Sequence, residues 1–248
     1  MILIKSTQEV SLMREAGKVV AAILMRLKEE IKPGMKTRQL DLVTARELEK
    51  RKVKSSFKGY RGFPAQLCVS VNDEIVHGIP GERILEEGDL VSLDVGVIYK
   101  GFQADAAITV GVGKVDSQAE KLITVTEGAL KAGILAARPG VHLGDVSATI
   151  QYYVESKRFS VVREYTGHGI GRELHEEPQV PNFGFFGEGP LLEKGMTFAL
   201  EPMVVAGGWR TKLGDNQWTV LTADGSLAAH FEHTVAITND GAEVLTLP

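Results

Sequence analysis

The chain contains two matching stretches, Glu87-Gly88-Asp89-Leu90-Val91-Ser92-Leu93-Asp94 and Lys194-Gly195-Met196-Thr197-Phe198-Ala199-Leu200-Glu201, at an offset of 107 residues. In both, a glycine precedes a short apolar run that ends in a carboxylate, which is typical of a turn followed by a buried strand. A second match lies downstream, where Asp105-Ala106-Ala107-Ile108 corresponds to Glu232-His233-Thr234-Val235. Each half of the chain is therefore predicted to place two carboxylates in apolar strands at equivalent positions.

The segments before these strands are predicted to be helices in both halves. Ser6-Thr7-Gln8-Glu9 fits a capping box at the start of a long helix, and a second helix is predicted over residues 37–52. In the second half, Ser117-Gln118-Ala119-Glu120 predicts another capping box and another long helix, after which a fourth helix follows. Both long helices are followed by a Pro-Gly pair, Pro33-Gly34 or Pro139-Gly140.

This repetition of two helices and two strands predicts an α/β (α+β) fold made of two similar halves, residues 1–113 and 114–248. The simplest arrangement relates the halves by a pseudo-twofold axis, with a functional site at their junction and the whole chain forming one domain. The same repeat aligns Gly59-Tyr60 with Gly167-His168.

Composition excludes several classes of protein. The 248 residues have a net charge of −4, which argues against a nucleic-acid-binding protein, and the basic run Lys50-Arg51-Lys52-Val53-Lys54 is interpreted as a solvated helix end. Cys68 is the only cysteine, so no intramolecular disulfide can form, as suits a reducing compartment. No apolar run is long enough for a signal peptide or a membrane span. The sequence therefore predicts a soluble, cytoplasmic protein.

The first pair of carboxylates lies in a predicted β-hairpin. Residues 89–98 and 102–110 flank Tyr99-Lys100-Gly101, and a turn centred between Tyr99 and Lys100 would set Asp94 directly opposite Asp105. A turn on Lys100 and Gly101 would make the pair diagonal but keep both side chains on one face. Like charges so close on a sheet are destabilising, so a shared proton, an arginine or a metal ion must neutralise them.

Four carboxylates at one junction favour metal ions among these alternatives. Asp94, Asp105, Glu201 and Glu232 would otherwise raise one another's pKa values, whereas two divalent cations would let all four stay ionised. His168, within the glycine-rich stretch 166–171, is predicted to add a nitrogen ligand. This oxygen-rich set suits two ions of Mn, Fe or Co and is compatible with Zn. Paired ions about 3.5–4 Å apart activate water for attack on a carbonyl.

Several motifs that occur in order closely resemble those of type I methionine aminopeptidases in their short bacterial form, and the resemblance covers nearly the whole chain. These motifs are Gly62-Phe63-Pro64, Val76-His77-Gly78-Ile79-Pro80, Leu93-Asp94-Val95-Gly96, Thr166-Gly167-His168-Gly169-Ile170-Gly171, His175-Glu176-Glu177-Pro178, Glu201-Pro202-Met203 and Phe231-Glu232-His233-Thr234. The resemblance implies the duplicated "pita-bread" fold, in which helices cover a central antiparallel sheet. It also implies removal of the initiator methionine from nascent proteins when the second residue is small.

The resemblance implies a role for each site residue. The metal ligands would be Asp94, Asp105, His168, Glu201 and Glu232, with Asp105 and Glu232 bridging both ions. Glu201 would also handle the proton of the attacking water, His77 would contact the leaving amide, and His175 would stabilise the tetrahedral oxyanion. The methionine pocket would be lined by Tyr60, Phe63, Cys68 and Trp218, with Leu174 at a position where relatives often have phenylalanine.

Three other histidines are expected to be less important. His233 should point away from the metals, because it follows Glu232 on a strand, whereas His230 lies on the same face as Glu232 and is expected beside the site. His142 is expected at a helix start.

Two alternative functions remain open from the sequence. One is an aminopeptidase of the same fold that cleaves before proline, and the other is a non-catalytic binding protein that keeps the fold. The expected partners are the N-termini of nascent polypeptides, with transient association with the ribosome. No membrane contact and no direct nucleic-acid readout are expected.

Overall fold

The computed structural model describes all 248 residues, Met1–Pro248. Its four α-helices are α1 (Thr7–Glu30), α2 (Thr37–Arg51), α3 (Ser117–Ala136) and α4 (Leu143–Glu155). Its strands are β1 (Lys54–Ser55), β2 (Cys68–Val71), β3 (Glu74–Val76), β4 (Leu90–Tyr99), β5 (Phe102–Gly111), β6 (Ser160–Val161), β7 (Gly167–Gly169), β8 (Glu176–Val180), β9 (Thr197–Leu200), β10 (Met203–Val205), β11 (Thr211–Leu213), β12 (Val220–Thr222), β13 (Ala228–His230), β14 (Glu232–Ile237) and β15 (Ala242–Val244). None of the helices combines the length and the apolar composition that crossing a bilayer requires.

The N-terminal ends of the two long helices are capped in different ways. At α1 the predicted capping box is confirmed, because the Ser6 hydroxyl accepts the Glu9 N–H at 3.3 Å and the Glu9 carboxylate accepts the Ser6 N–H at 2.8 Å. The capping box predicted at the start of α3 is wrong. Asp116 is the N-cap there, and its carboxylate accepts the Ala119 N–H at 2.8 Å. A charged acceptor one residue earlier also complements the helix dipole, so Ser117 becomes the first residue of the helix.

A nine-stranded antiparallel sheet forms the centre of the molecule. Its strand order is β1-β4-β5-β14-β9-β7-β8, with β2 also paired to β4 and β15 also paired to β14. Two three-stranded sheets, β13-β10-β6 and β11-β12-β3, flank it. The long strands β4 and β5 come from the first half, and their counterparts β9 and β14 come from the second.

The two halves meet where β5 pairs with β14. Glu232 lies opposite Ala107 and His233 lies opposite Ala106 in this antiparallel pair. Because the sequence repeat equates Asp105 with Glu232, the pseudo-twofold axis runs through the pair of Ala106 and His233. The two equivalent carboxylates, Asp105 and Glu232, therefore lie on one face of the sheet, on either side of this axis.

The connections after the long helices confirm the repeat in detail. Gly34 and Gly140 both have a left-handed backbone, with φ of 84° and 83°, as glycine allows at little cost. The Gly34 N–H donates to the Leu85 carbonyl at 2.7 Å, and the Gly140 N–H donates to the Leu192 carbonyl at 2.8 Å. Leu85 and Leu192 are themselves equivalent by the offset of 107 residues, so both halves close the same loop with the same hydrogen bond.

One part of the predicted repeat is wrong. Gly167 and His168 lie in β7, which pairs with β9, whereas Tyr60 lies in a single 3₁₀ turn over residues 60–62. The strand that pairs with β4 at the equivalent place is β2, in which Ser70 lies opposite Ser92. His168 lies opposite Ala199, the equivalent of Ser92, so the true counterpart of His168 is Ser70. The shared Gly-aromatic pattern that suggested the alignment reflects two different local structures.

The apolar side chains form a separate core in each half. One cluster lies between α1, α2 and the strands of the first half, and its members come from residues 16–112. The other lies between α3, α4 and the strands of the second half, and its members are Leu90 and residues from 119 to 237. A third cluster, which includes Phe57, Phe63, Cys68 and Leu174, lies against the face of the sheet that displays Asp105 and Glu232.

Candidate active site

The hairpin of β4 and β5 positions the first two carboxylates. Asp94 lies opposite Ala107 and Gly96 lies opposite Asp105, so Asp94 and Asp105 are diagonal neighbours on one face. The expectation that they face each other directly is wrong, and the alternative turn on Lys100 and Gly101 is right. Both turn residues have a left-handed backbone, with φ of 49° and 82°. That two-residue geometry matches the twist of the flanking strands.

The structure brings all five predicted metal ligands to one cavity. Potential ligand atoms of Asp105, His168 and Glu232 lie within 4.8 Å of one another. The His168 Nε2 atom lies 3.6 Å from Asp105 Oδ2 and 3.6 Å from Glu201 Oε1. Asp94 and Glu201 line the same cavity as the other three residues.

Burial of this acidic cluster is electrostatically unfavourable without a cation. Burial, followed by repulsion from Asp105 and Glu201, raises the pKa of Asp94 well above its ordinary value. Burial and the same two carboxylates raise the pKa of Glu232 in the same way. Burial raises the pKa of Glu201 to about 8, although His168 partly opposes the change. Because one oxygen of Asp94 is also buried without any hydrogen-bond partner, the donor set fits bound divalent cations, which would neutralise the charges.

Neighbouring groups hold two of these side chains in a fixed orientation. The Thr234 hydroxyl accepts the Asp105 N–H at 3.0 Å and lies 3.0 Å from Asp105 Oδ1. The His168 Nδ1 atom lies 2.9 Å from the carbonyl oxygen of Gly169. Since a carbonyl only accepts, Nδ1 must bear the proton, and the Nε2 lone pair therefore faces Asp105 and Glu201. Fixed rings of this kind are typical of metal-binding histidines.

The cavity has a volume of about 640 Å³ and an apolar wall beside the acidic cluster. All the residues predicted to form the methionine pocket line it, namely Tyr60, Phe63, Cys68, Leu174 and Trp218. Phe63 and Trp218 meet edge to face with their ring centroids 5.1 Å apart. Burial, followed by the charge of Asp94, raises the pKa of Cys68, so its thiol stays protonated and contributes an apolar surface.

Two further histidines, His77 and His175, also line the cavity. His77 has a left-handed backbone with φ of 61°, a strained conformation for a residue with a side chain, and burial lowers its pKa to about 4. Desolvation, together with nearby His168, lowers the pKa of His175 to about 3. The Nδ1 atom of His175 lies 2.7 Å from the Tyr60 hydroxyl. Both imidazoles are therefore neutral at pH 7.

Comparison with known proteins identifies the family to which this arrangement belongs. Residues 11–239 match the sequence pattern of metallopeptidase family M24. The chain belongs to this family.

Relatives within family M24 match the chain over its full length. A methionine aminopeptidase of Clostridium perfringens is 51% identical over 247 residues, which cover 100% of this chain and 99% of that protein. Methionine aminopeptidase 1 of Bacillus subtilis is 49% identical over 246 residues, which cover 99% of each. The crystal structure of a methionine aminopeptidase from Thermotoga maritima superposes with a TM-score of 0.99 at 48% identity, and the match covers 100% of both chains.

A prolidase of the same fold is more distant. The prolidase from Pyrococcus furiosus superposes with a TM-score of 0.81 at 21% identity, and the match covers 99% of this chain but 65% of that one. This likeness concerns the fold alone. The predicted pita-bread fold is confirmed, and within family M24 the chain groups with the methionine aminopeptidases, which are metal-dependent hydrolases.

The structure of this M24 enzyme adds cavity residues that the sequence did not predict. They are Phe57, Arg61, Val76, Glu164, Tyr165, Thr166, Glu176, Glu177, Gln179 and Met203. Most are sequence neighbours of a predicted site residue, such as Val76 before His77 and Met203 after Glu201, so extending each motif by two residues finds them. Phe57 lacks such a signal, because it lies further from every predicted site residue and its loop approaches the cavity only through the fold.

The remaining histidines of the M24 domain lie as predicted. The Nε2 atom of His230 is buried 3.5 Å from Glu201 Oε2, beside the cluster. The His233 ring points away, and its Nδ1 lies 2.8 Å from the Thr246 hydroxyl. His142 is the N-cap residue of α4.

Proposed function

We propose that this chain is a cytoplasmic aminopeptidase that removes the initiator methionine from nascent proteins whose second residue is small, and that it uses two divalent metal ions. One observation supports the proposal most directly. Four carboxylates and one correctly oriented imidazole meet at the floor of a cavity whose adjoining wall is apolar and large enough for a methionine side chain.

The metal ions would bind to Asp94, Asp105, His168, Glu201 and Glu232. The central position of Asp105 and Glu232, on either side of the pseudo-twofold axis, suits them to bridge both ions. Co, Mn, Fe and Zn are all compatible with carboxylate and imidazole ligands. Ions bound there would activate a water molecule and polarise the scissile carbonyl.

Three side chains of the cavity then complete the chemistry. The Glu201 carboxylate takes the proton of the attacking water and delivers it to the leaving amine. We assign to the neutral His175 the tautomer protonated at Nε2. In it the Tyr60 hydroxyl, 2.7 Å from Nδ1, donates to that atom, and the Nε2–H is free to donate to the oxyanion of the tetrahedral intermediate. His77, directly after β3, contacts the leaving amide.

The apolar wall selects the first residue of the substrate. Tyr60, Phe63, Cys68, Leu174 and Trp218 line the same cavity as the proposed metal ligands, and their largely apolar surface suits the flexible thioether chain of methionine. His77 and the acidic cluster border the position of the second residue, so a bulky side chain there would collide with them.

The cellular setting follows from this substrate. New N-termini appear at the ribosome, and we include transient association with it in the proposal. The net charge of −4 gives no basis for direct recognition of nucleic acid. The whole chain, residues 1–248, would act as one catalytic domain with halves 1–113 and 114–248.

A peptide assay tests the proposal against both alternatives. With added Mn²⁺ or Co²⁺, Met-Ala-Ser should be cleaved, whereas Ala-Ala-Ser and the proline substrate Ala-Pro-Ser should not. Met-Ile-Ser should be cleaved at least about a hundredfold more slowly than Met-Ala-Ser, because steric exclusion of a branched side chain discriminates at least as strongly as the roughly 1–3 kcal/mol that one methylene supplies. Preferred cleavage of Ala-Pro-Ser would establish the X-Pro activity instead. Absence of turnover with every peptide, in protein shown to contain metal, would favour a binding protein.

A further inference from the structure

The segment before α1, residues 1–6, contacts a residue of the cavity and places a lysine in the interior. Lys5 is 7% exposed, and its backbone N–H donates to the Gly195 carbonyl at 2.8 Å. The Lys5 ammonium donates to the Leu3 carbonyl at 3.1 Å and forms an ion pair with Glu176. Both side chains of this pair are only 5% exposed. A lysine is almost never so buried unless it is paired, so the burial of Lys5 depends on its ion pair with Glu176.

The partner of Lys5 organises a tight turn. One carboxylate oxygen of Glu176 accepts the N–H groups of Arg172 and Glu173 at 2.8 and 3.2 Å, while the other contacts Lys5. We name residues 171–176 the Glu176 turn. A Cβ atom on Gly171 would overlap the Lys5 side chain and lie 2.8 Å from Glu176 Oε1. The turn therefore begins at a glycine because the ion pair occupies the space of a side chain.

The Glu176 turn contains three residues of the cavity, namely Leu174, His175 and Glu176 itself. Leu174 belongs to the apolar wall, and His175 directly precedes Glu176 in the chain. We propose that Lys5 is a positioning residue of the active site, which acts through Glu176 to hold His175 where it can donate to the reaction's oxyanion. The role of His175 in this inference rests on the proposed function. The contacts of the turn are independent of it.

Other contacts hold the opposite end of the turn. The Gln103 N–H donates to the Gly171 carbonyl at 2.8 Å, and the Gln103 side chain donates to the Arg172 carbonyl at 3.0 Å. Arg172 also pairs with Glu9 at 3.0 Å, but its side chain is 64% exposed. Exposed pairs contribute little, whereas breaking a buried pair leaves an uncompensated charge. We therefore expect the ion pair of Lys5 with Glu176 to fix the position of the His175 end of the turn.

Substitution of Lys5 by methionine tests the inference, because methionine keeps the length of the apolar stem and removes the charge. With Met-Ala-Ser, kcat should fall about tenfold to a hundredfold, as small misplacements of a catalytic group do, while KM changes less than about threefold. Metal content should stay unchanged. The matched control Arg172→Gln removes the exposed pair of the same turn and should alter kcat less than about twofold. Lys5→Arg, which retains the charge, should recover most of the lost rate.

A double variant tests whether Lys5 acts through Glu176. In a Glu176→Gln background, the change Lys5→Met should lower kcat by less than about a further twofold, since contacting residues are not additive. An undiminished loss in that background, or a Lys5→Met enzyme within about twofold of the parent, would overturn the inference. If Lys5→Met does not fold, Lys5→Gln, which retains a hydrogen-bond donor, replaces it in each comparison.

A spectroscopic readout separates this inference from the proposed function. The imidazole NMR signals of His175, assigned with a His175→Gln variant, should shift in Lys5→Met and stay in place in Arg172→Gln. This shift is expected even if the parent protein cleaves no peptide, a result that would refute the proposed function alone. Unmoved His175 signals in Lys5→Met would overturn the positioning role, whatever the activity.

Discussion

Ser70 and His168 occupy equivalent positions in the two halves of the molecule, but their side chains make different contacts. Ser70 lies opposite Ser92 at one edge of the sheet, and His168 lies opposite Ala199, the equivalent of Ser92. The Ser70 hydroxyl accepts the Gly78 N–H at 3.1 Å and so holds the backbone beside His77. The His168 imidazole instead points its Nε2 lone pair at the acidic cluster.

This difference distinguishes the symmetric part of the site from the asymmetric part. The four carboxylates follow the duplication, because each pair of equivalent strands places one carboxylate from each half on the same face. His168, His77 and His175 have no histidine at the equivalent positions of the other half, so they do not follow the duplication. Under the proposed function, the duplication supplies the ligands for two similar cations, whereas recognition of one end of a peptide depends on residues that differ between the halves.

The strongest test of the symmetric part is the central pair of carboxylates. Asp105→Ala and Glu232→Ala should each lower turnover to less than about 10⁻⁴ of the parent rate, because charge stabilisation by bound ions is worth several kcal/mol and about 1.36 kcal/mol is tenfold. Both should also lose bound metal by elemental analysis. Asp224→Asn, which changes an exposed carboxylate, is the control. Normal metal content and turnover in either alanine variant would contradict the bridging assignment.

The asymmetric histidines should affect the reaction without affecting the metal. His77→Ala and His175→Ala are expected to lower kcat by roughly 10²–10⁴-fold each, as the loss of transition-state contacts does, with unchanged metal stoichiometry. Steady-state kinetics on Met-Ala-Ser beside elemental analysis measure both quantities. A variant in which only KM rises would show that the residue binds substrate without taking part in the chemistry.

The third prediction compares the equivalent positions directly. His168→Ala should weaken metal binding by at least about 10–100-fold, the effect typical of losing even an outer-shell partner of a metal ligand. Ser70→Ala should leave metal affinity unchanged and lower kcat about tenfold, because it loosens the backbone beside His77. Calorimetric titration with Mn²⁺ measures the affinities. Equal losses of metal affinity in the two variants would show that the two positions contribute equally to metal binding, contrary to the geometry.

The smallest expected effect concerns the stability of the protein after metal removal. The pKa of Glu201 is raised from 4.5 to about 8 by burial, so between these values the folded state binds more protons than the unfolded state. The stability of the metal-free protein should therefore increase as pH falls from about 8 towards about 5. Thermal unfolding in a chelator over this pH range measures the trend. A Glu201→Gln variant should show a weaker dependence, and an identical slope in that variant would assign the effect elsewhere.

The sequence predicted those parts of the fold and of the candidate site that depend on the regular spacing of side chains along a helix or strand. Alternation along a strand placed Asp94 and Asp105 on one face whichever turn closed the hairpin, so an error of register left the functional prediction intact. The turn itself depended on whether Lys100 adopts a left-handed backbone, which no apolar pattern reveals. The cap of α3 likewise depended on a competition between Asp116 and Ser117 for the same N–H groups.

Contacts between side chains far apart in the chain could not be predicted from the sequence. The pairing of Lys5 with Glu176 joins residues that are 171 positions apart, and neither residue stands out among the many lysines and glutamates of the chain. The equivalence of Ser70 and His168 was hidden because their side chains share no chemistry. Only the shared partner positions on β4 and β9 disclose it.

The attachment of the N-terminal segment to Gly195 has a consequence for biosynthesis. Lys5 is synthesised long before its partners, since Glu176 lies 171 positions later in the chain and Gly195 lies later still. Such non-local pairing implies high contact order and slow closure of the final structure. Lys5 therefore cannot reach its buried position until Glu176 and Gly195 have both left the ribosome.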